Sequence, residues 1–296
     1  MPWMTFALAV GIGASIVCAL YHGVIAYRVA MATARIPTAR DGIALAAKRS
    51  DPPPPACVIV PAHNEERMIG GLIRSLAAQD YPGLRIVLAL DRCTDGTERA
   101  ARAAIAETPA PERFEVVVIA RCPPGWAGKV HAVHAGVTRS EGAREARILV
   151  FADADTELDP RCISAAGALL AERDADLLSL MCTLTSGLWW EKVAQPAAGI
   201  ELVRRFPLDR LNRPDGRIPF ANGQFLMFRR EAYDEIGGHE AVKSELLEDL
   251  ALAAKIVHHK RNRRLAVLMA EGMARCRMYE SMPEFRKGWK RIYTES

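Results

Sequence analysis

Short apolar runs alternate with amphipathic helical patterns over most of the chain. The apolar runs of strand length are Cys57–Val60, Leu84–Leu90, Phe114–Ala120, Ile148–Ala152 and Leu177–Cys182. Between the first two runs, apolar residues at Ile69, Leu72, Ile73 and Leu76 follow the i, i+3, i+4, i+7 spacing of a helix. Strands that alternate with helices predict βαβ units, and therefore an α/β fold with a mostly parallel sheet and right-handed crossovers.

Acidic loops follow three of the predicted strands. Glu65 comes after the first strand, Asp91 after the second, and the pair Asp153 and Asp155 after the fourth. Because the carboxyl ends of parallel strands share one edge of the sheet, we expect these acids to converge there. Two carboxylates together with nucleotide phosphates would complete the oxygen shell that Mg²⁺ or Mn²⁺ prefers. The alternative is a pair of solvated acids in a surface turn.

The first residues predict a membrane anchor over residues 1–30. No Asp, Glu, Lys or Arg occurs from Met1 to Tyr27, and about 20 apolar residues suffice for a helix to cross a bilayer. A cleavable signal peptide is the alternative, but the basic segment that begins such peptides is missing. Arginine and lysine residues follow the segment, so the positive-inside rule predicts a single span in the cytoplasmic membrane with the rest of the chain cytoplasmic.

Three further segments complete the predicted organisation. Residues 31–56 are predicted to form a basic, proline-rich linker, because the prolines at 52–55 fix an extended backbone. Residues 57–277 form the α/β domain. Residues 278–296 place Met282, Phe285 and Trp289 near helical spacing among basic residues, which predicts an amphipathic helix at the membrane interface. Aromatic and basic residues between Cys182 and Asn222 suit either a surface near lipid head groups or an ordinary helical insertion.

Composition and charge argue against nucleic acid as a partner and against a disulfide framework. The net charge of +4 is too small and too evenly spread to indicate nucleic-acid binding. Seven scattered cysteines without a C-x-x-C pair predict reduced thiols in the cytosol, with no disulfide framework or zinc site. Glu248 and Asp249 stand among leucines, where burial of an acidic pair is costly unless the pair has a partner or a function.

These pieces, in this order, resemble the family 2 glycosyltransferases of GT-A fold over roughly Cys57 to Tyr293. The matching motifs are Pro61-Ala62-His63-Asn64-Glu65, Asp91 with Asp95-Gly96-Thr97, Gly128-Lys129, Asp153-Ala154-Asp155, Gly223 with Arg229-Arg230 and Gly237-Gly238, and Glu248-Asp249. Within that family the chain is similar to membrane-attached, non-processive enzymes that glycosylate lipids, such as the ceramide, hopanoid and carotenoid glycosyltransferases.

The resemblance implies a metal-dependent, inverting hexosyltransferase. Its donor would be a nucleotide sugar, with a UDP-sugar as the leading candidate, and its acceptor the hydroxyl of a membrane lipid in the bilayer. Asp155 would hold Mg²⁺ or Mn²⁺, with Asp153 touching the metal or the ribose, and Asp249 would be the general base. Further implied donor-binding residues are Pro61, Asn64, Glu65, Asp91 and Lys129. Residues implied on the acceptor side are Glu248, Gly223 and Trp289.

Two departures from the family pattern limit what the resemblance implies. His134 stands a few residues after Lys129, where an asparagine is common in the family. The contact made by that asparagine is therefore not assigned to His134. The Q-x-x-R-W signature of processive synthases is replaced by residues 284–289, which favours a single transfer over polymer synthesis. Members usually continue into further membrane helices, so the chain is either naturally short or a piece of a longer protein. The alternatives are a polyprenyl-phosphate sugar synthase, an inactive nucleotide-binding membrane subunit and, more weakly, a two-metal nucleotidyl transferase.

Overall fold

The structure is a computed structural model of the chain. It describes residues 2–185, 187–206, 210–212, 218–261, 263–277 and 281–295. The predicted boundary at residue 278 lies outside the described residues, as does Arg213, one of the basic residues between Cys182 and Asn222. The chain divides into two compact units, residues 1–36 with 186–211, and residues 37–185 with 212–296.

Within the described part of the second unit, ten strands form two sheets. They are β1 Ala56–Ala62, β2 Arg85–Asp91, β3 Phe114–Ile119, β4 Ile148–Ala152, β5 Thr156–Leu158, β6 Leu177–Met181, β7 Thr183–Leu184, β8 Phe225–Arg229, β9 Leu265–Met269 and β10 Ala274–Cys276. The main sheet has seven strands in the order β3-β2-β1-β4-β8-β6-β9, and the small sheet has the order β5-β10-β7. All pairs in the main sheet are parallel except those that include β8.

Eleven α-helices lie within the described residues. They are α1 Pro2–Arg35, α2 Asp41–Ala47, α3 Ile69–Ala77, α4 Thr97–Ala106, α5 Gly128–Arg139, α6 Glu141–Glu145, α7 Cys162–Glu172, α8 Glu191–Arg205, α9 Arg230–Glu235, α10 Glu248–Val257 and α11 Met282–Glu295. Helices cover both faces of the main sheet, and β1 shows why. Val58 and Val60 belong to one buried cluster and Cys57 and Ile59 to the other, so the strand is apolar on both faces.

The antiparallel strand β8 brings a later part of the chain to the edge where β4 ends. Its register pairs Ala152, the last residue of β4, with Phe225, the first residue of β8. The sequence pattern predicts a strand from Phe220, but the chain becomes a strand only at Phe225. A polar turn delays it, since Asn222 Nδ2 donates to Gln224 Oε1 at 3.0 Å.

Part of segment 31–56 is folded, in contrast to the linker that its prolines predict. Helix α1 continues to Arg35, Thr38 forms a β-bridge with Met269, and α2 packs against α7. The contact is close at Gly42, where a Cβ atom would lie 2.2 Å from the backbone oxygen of Ala165. Tertiary packing, which composition does not report, therefore fixes residues 37–47 within the α/β unit.

Replacing Gly42 by alanine is expected to destabilise the α/β unit by about 1 to 3 kcal/mol, because the added methyl group must displace backbone. Thermal unfolding in detergent would measure the loss. The matched control is Gly70→Ala in α3, where the nearest atom to an added Cβ is the flexible end of Arg74, 3.4 Å away. That control is expected to be neutral or up to about 1 kcal/mol more stable. Equal unfolding midpoints for Gly42→Ala and wild type would contradict the packing.

The first unit contains α1 and α8, which pack against each other. Among the described residues, one helix is long and apolar enough to cross a membrane, and it covers Trp3–Met31. Most of its apolar side chains are exposed, as in Trp3 at 84%. A signal sequence passes the same test of length and composition. All seven cysteines of the chain are free thiols.

Candidate active site

A cleft of about 350 Å³ opens at the carboxyl edge of the main sheet. Six of the residues that the sequence predicted for the donor and metal line it, namely Pro61, Glu65, Asp91, Lys129, Asp153 and Asp155. They come together because β1, β2 and β4 all end at this edge, and α5 begins there with Gly128 and Lys129. The sheet thus gathers residues that the sequence spreads widely.

Carboxylates crowd one side of the cleft. Burial, together with the charges of Asp155 and Asp153, raises the pKa of Glu65 to about 7. Burial and the charge of Asp153 likewise raise the pKa of Asp155 to about 6. A raised carboxyl pKa means that the folded protein disfavours the charged forms of Glu65 and Asp155, through burial first and through neighbouring carboxylates second.

The oxygen ligands that Asp153 and Asp155 offer in the cleft fit a divalent cation. Asp155 Oδ1 is buried and has no hydrogen-bond partner. Within the described residues no three acidic, histidine or cysteine side chains are grouped as metal ligands. Mg²⁺ is commonly bound through one or two carboxylates and the phosphates of a substrate. Asp155 and Asp153 are sufficient for that mode.

Lys129 joins the two acidic groups of the site. Its Nζ lies 2.8 Å from Asp153 Oδ1 and 2.7 Å from Glu248 Oε1. Burial alone would raise the pKa of Glu248, but the charge and hydrogen bond of Lys129 act together with a backbone hydrogen bond to hold that pKa below its usual range. Asp153 stands on the donor side of the cleft and Glu248 begins α10, so one ammonium group links the two.

Asp249 follows Glu248 in α10 and does not line the cleft itself. Its Oδ2 accepts the backbone N–H of Gly223 at 2.8 Å, and its Oδ1 accepts that of Leu250 at 2.9 Å. Gly223 permits this approach, since a Cβ there would lie 3.1 Å from the carboxylate. Burial and the charge of Glu248 raise the pKa of Asp249 to about 6. The carboxylate is fixed in orientation and is a stronger base than an exposed aspartate.

Asp91 is placed in the cleft but is already paired. Arg92 Nε donates to Asp91 Oδ1 at 3.0 Å, and Arg92 Nη2 donates to Asp91 Oδ2 at 2.6 Å. Any ligand group that binds the carboxylate of Asp91 must therefore share that carboxylate with Arg92. Arg92 and His63 also line the cleft, although the sequence pattern did not predict a site role for either residue. Their positions within two polar loops that follow strands were the available signal.

Three other predicted residues lie elsewhere. Asn64 joins two loops, since its Oδ1 accepts the backbone N–H of Thr94 at 2.8 Å. Gly223 contacts Asp249 and does not line the cleft. Trp289 lies in α11 against Phe285, with ring centroids 6.0 Å apart. The structure thus gathers most of the predicted donor side and leaves these three outside the cleft.

A parallel sheet with a polar cleft at its carboxyl edge is the architecture of nucleotide-binding α/β proteins. Comparison with known families narrows this class. The chain belongs to the family described as Glycosyltransferase like family 2, whose family model matches residues 53–273. The family that the motifs predicted is therefore confirmed.

Curated relatives include 4,4'-diaponeurosporenoate glycosyltransferases of Staphylococcus aureus. That of strain bovine RF122 / ET3-1 is 27% identical over 240 residues, which cover 78% of this chain and 59% of the relative. That of strain USA300 is 28% identical over the same length and coverage. The chain thus spans 59% of the length of these relatives.

Solved structures with the same fold include two sugar-transfer proteins. A mannosyltransferase from Pyrobaculum calidifontis in complex with GDP-Man and Mn²⁺ is 20% identical, with a TM-score of 0.59, and the match covers 90% of this chain and 72% of that one. Glucosyl-3-phosphoglycerate synthase from Mycobacterium tuberculosis, in complex with Mn²⁺, UDP and phosphoglyceric acid, is 17% identical, with a TM-score of 0.54 and coverage of 88% and 84%. At these identities the likeness concerns the fold, and the predicted GT-A fold is confirmed.

Proposed function

We propose that the chain transfers a sugar, with inversion, from a nucleoside-diphosphate sugar to the hydroxyl of a membrane lipid at the cytoplasmic face. The observation that carries the proposal is the joining of the donor cleft to the pair Glu248-Asp249 by Lys129. The family supports transfer of a sugar, and the named acceptor class of the carotenoid-type relatives supports a lipid. The apolar helix α1 supports attachment to the bilayer.

The donor side holds the diphosphate. Asp155 and Asp153 are the residues that would hold Mg²⁺ or Mn²⁺, as the Mn²⁺ complexes of two structural neighbours suggest. The bound cation would supply charge neutralisation for the leaving diphosphate. Lys129 supplies a further positive charge beside Asp153. Glu65 and the Asp91–Arg92 pair remain for the nucleoside, because they line the same cleft.

The acceptor side removes one proton. The acceptor oxygen forms a bond to the anomeric carbon from the face opposite the diphosphate, the bond from that carbon to the diphosphate oxygen breaks, and Asp249 takes the hydroxyl proton. Backbone N–H groups of Gly223 and Leu250 hold the carboxylate in place for this step. The diphosphate leaves as an anion and requires no general acid.

The test is transfer of label into lipid. Membranes that contain the full chain are incubated with a panel of labelled UDP- and GDP-sugars and a lipid extract, with and without EDTA. We expect lipid-linked label from one donor and its loss on EDTA treatment. Absence of lipid-linked label with every donor would overturn the proposal. Label that mild acid releases would instead identify a polyprenyl-phosphate sugar synthase, because glycosyl phosphodiesters are labile.

The transfer rate is expected to rise with pH through about pH 6 and to level off above pH 7. The pKa of Asp249 is raised to about 6, first by burial and then by the charge of Glu248. A general base acts only in its ionised form, so the rate is lost as the pH falls through that pKa. A pH profile of the rate at saturating donor measures this acid limb.

Glu248→Gln is the control that assigns the acid limb to Asp249. Removing the charge of Glu248 removes a cause that raises the pKa of Asp249, so the limb is expected to move to lower pH. Nucleotide binding, measured by calorimetry at a fixed pH of about 7.5, would report any separate effect of the substitution on the donor cleft through Lys129. An acid limb that stays in place in Glu248→Gln would mean that another group limits the rate.

A further inference from the structure

Helix α8 presents an apolar stripe to its surroundings. Val193 is 67% exposed, and Pro196, Ala197 and Ile200 are exposed at intervals of three or four residues, which places them on one face of the helix. Trp189, just before the helix, is 79% exposed. An exposed apolar stripe of this length marks an interaction surface.

The opposite face of α8 is covered. Glu191 and Ala198 are buried, as is Trp190 just before the helix, and α8 packs against α1. Among the described side chains of α1, Ile25 is buried and Arg28, Val29 and Met31 are half-buried, and all four lie after the middle of the helix. Helix α8 is therefore held beside one end of the candidate membrane span, with its apolar stripe facing away from the protein of its own unit.

The buried carboxylate at the start of α8 has a partner within the protein. Glu191 is buried, and its Oε2 accepts the backbone N–H of Leu188 at 2.7 Å. An N–H group with a partner enters an apolar phase without the cost of a lost hydrogen bond. The helix has 15 residues, fewer than the roughly 20 that a span requires. Its sequence ends in Arg204 and Arg205, residue types that favour anionic head groups.

We propose that α8 is a second membrane-contacting element, which lies in the bilayer interface with Trp189, Val193 and Ile200 inserted at the level of the upper acyl chains. The occupant of the stripe is the lipid bilayer, because α8 is packed against the helix that is suited to cross it. The inference rests on the proposed attachment through α1. It adds that the membrane contact of the chain includes a helix remote from α1 in the sequence.

The experiment uses the full chain in nanodiscs of phosphatidylcholine and phosphatidylglycerol, with bromine on the acyl chains as a fluorescence quencher. The contribution of Trp189 is the difference between wild type and Trp189→Phe, and the contribution of Trp3, within α1, is obtained from Trp3→Phe. We expect brominated lipid to remove at least half of the Trp189 contribution. Aqueous iodide is expected to leave that contribution nearly unchanged.

The two tryptophans separate this inference from the proposed anchor. Quenching of both by brominated lipid supports both statements. Quenching of Trp3 alone, with Trp189 quenched by iodide, would overturn the role of α8 while the anchor stands. Quenching of neither by lipid would overturn the anchor as well. If Trp189 responds to neither quencher while Trp3 responds to lipid, protein covers the stripe, which overturns the bilayer as its occupant.

Discussion

Replacing Asp249 by asparagine is expected to lower the transfer rate by about 10²- to 10⁴-fold, the range that general-base catalysis contributes. Asparagine keeps the shape but cannot accept the proton. It can accept only one of the two backbone N–H groups that Asp249 accepts, from Gly223 and Leu250, so a small loss of stability is also expected. Single-turnover rates at saturating donor measure the chemical effect.

The matched control for that variant is Asp234→Asn. Asp234 is an exposed acid that pairs with Arg230 within one turn of helix, outside the cleft. The control is expected to keep the wild-type rate, because exposed pairs of this kind contribute little. Donor binding by Asp249→Asn, measured by calorimetry, is expected to stay close to wild type. Full activity of Asp249→Asn would show that the base lies elsewhere, even with the fold intact.

Asp155→Ala is expected to abolish metal-dependent transfer, with a fall of at least about 100-fold, and to leave the chain folded. The buried Oδ1 of Asp155 has no hydrogen-bond partner, and the carboxylates of Asp153 and Glu65 are near neighbours. Removal of the Asp155 carboxylate relieves its repulsion with these two carboxylates. The unfolding midpoint without metal is therefore expected to be unchanged or higher. Thermal unfolding and Mn²⁺-dependent nucleotide binding measure the two effects separately.

Asp159→Ala is the control for Asp155→Ala. Asp159 lies four residues further on, and its carboxylate pairs with Arg161 at 3.0 Å, outside the residues that line the cleft. Transfer and Mn²⁺-dependent binding are both expected to persist in this variant. If Asp155→Ala bound nucleotide with the same dependence on Mn²⁺ as wild type, the assignment of Asp155 as a metal ligand would fail.

The strands that carry the site were predictable because their apolar runs are buried on both faces. The predicted strand Ile148–Ala152 coincides with the observed β4. Their shared carboxyl edge follows from the parallel sheet, so the meeting of Glu65, Asp91 and Asp153 could be inferred before any coordinates. The periodicity of the local sequence was sufficient to predict those elements whose buried positions repeat regularly.

Contacts that depend on a single close approach could not be inferred in the same way. The packing of α2 depends on a missing Cβ at Gly42, and nothing in the local pattern distinguishes this glycine from a flexible one. The pairing of Asp91 with Arg92 depends on the backbone of Arg92, which has a φ of 48°. The neighbours of Asp155 come from parts of the chain that are distant in sequence. Cys276 contacts Asp155, and Gln224 Nε2 donates to Cys276 Sγ at 2.8 Å.

The antiparallel pairing of β6 with β8 has a consequence for the segment between them. Ser179 pairs with Leu226, and the backbone N–H of Asn222 donates to Ser179 Oγ at 2.7 Å, so the chain returns to the sheet beside the point where it left. Closure of such an excursion costs entropy that grows only logarithmically with its length. The segment between β7 and β8 can therefore differ in length among related chains at little entropic cost to the sheet.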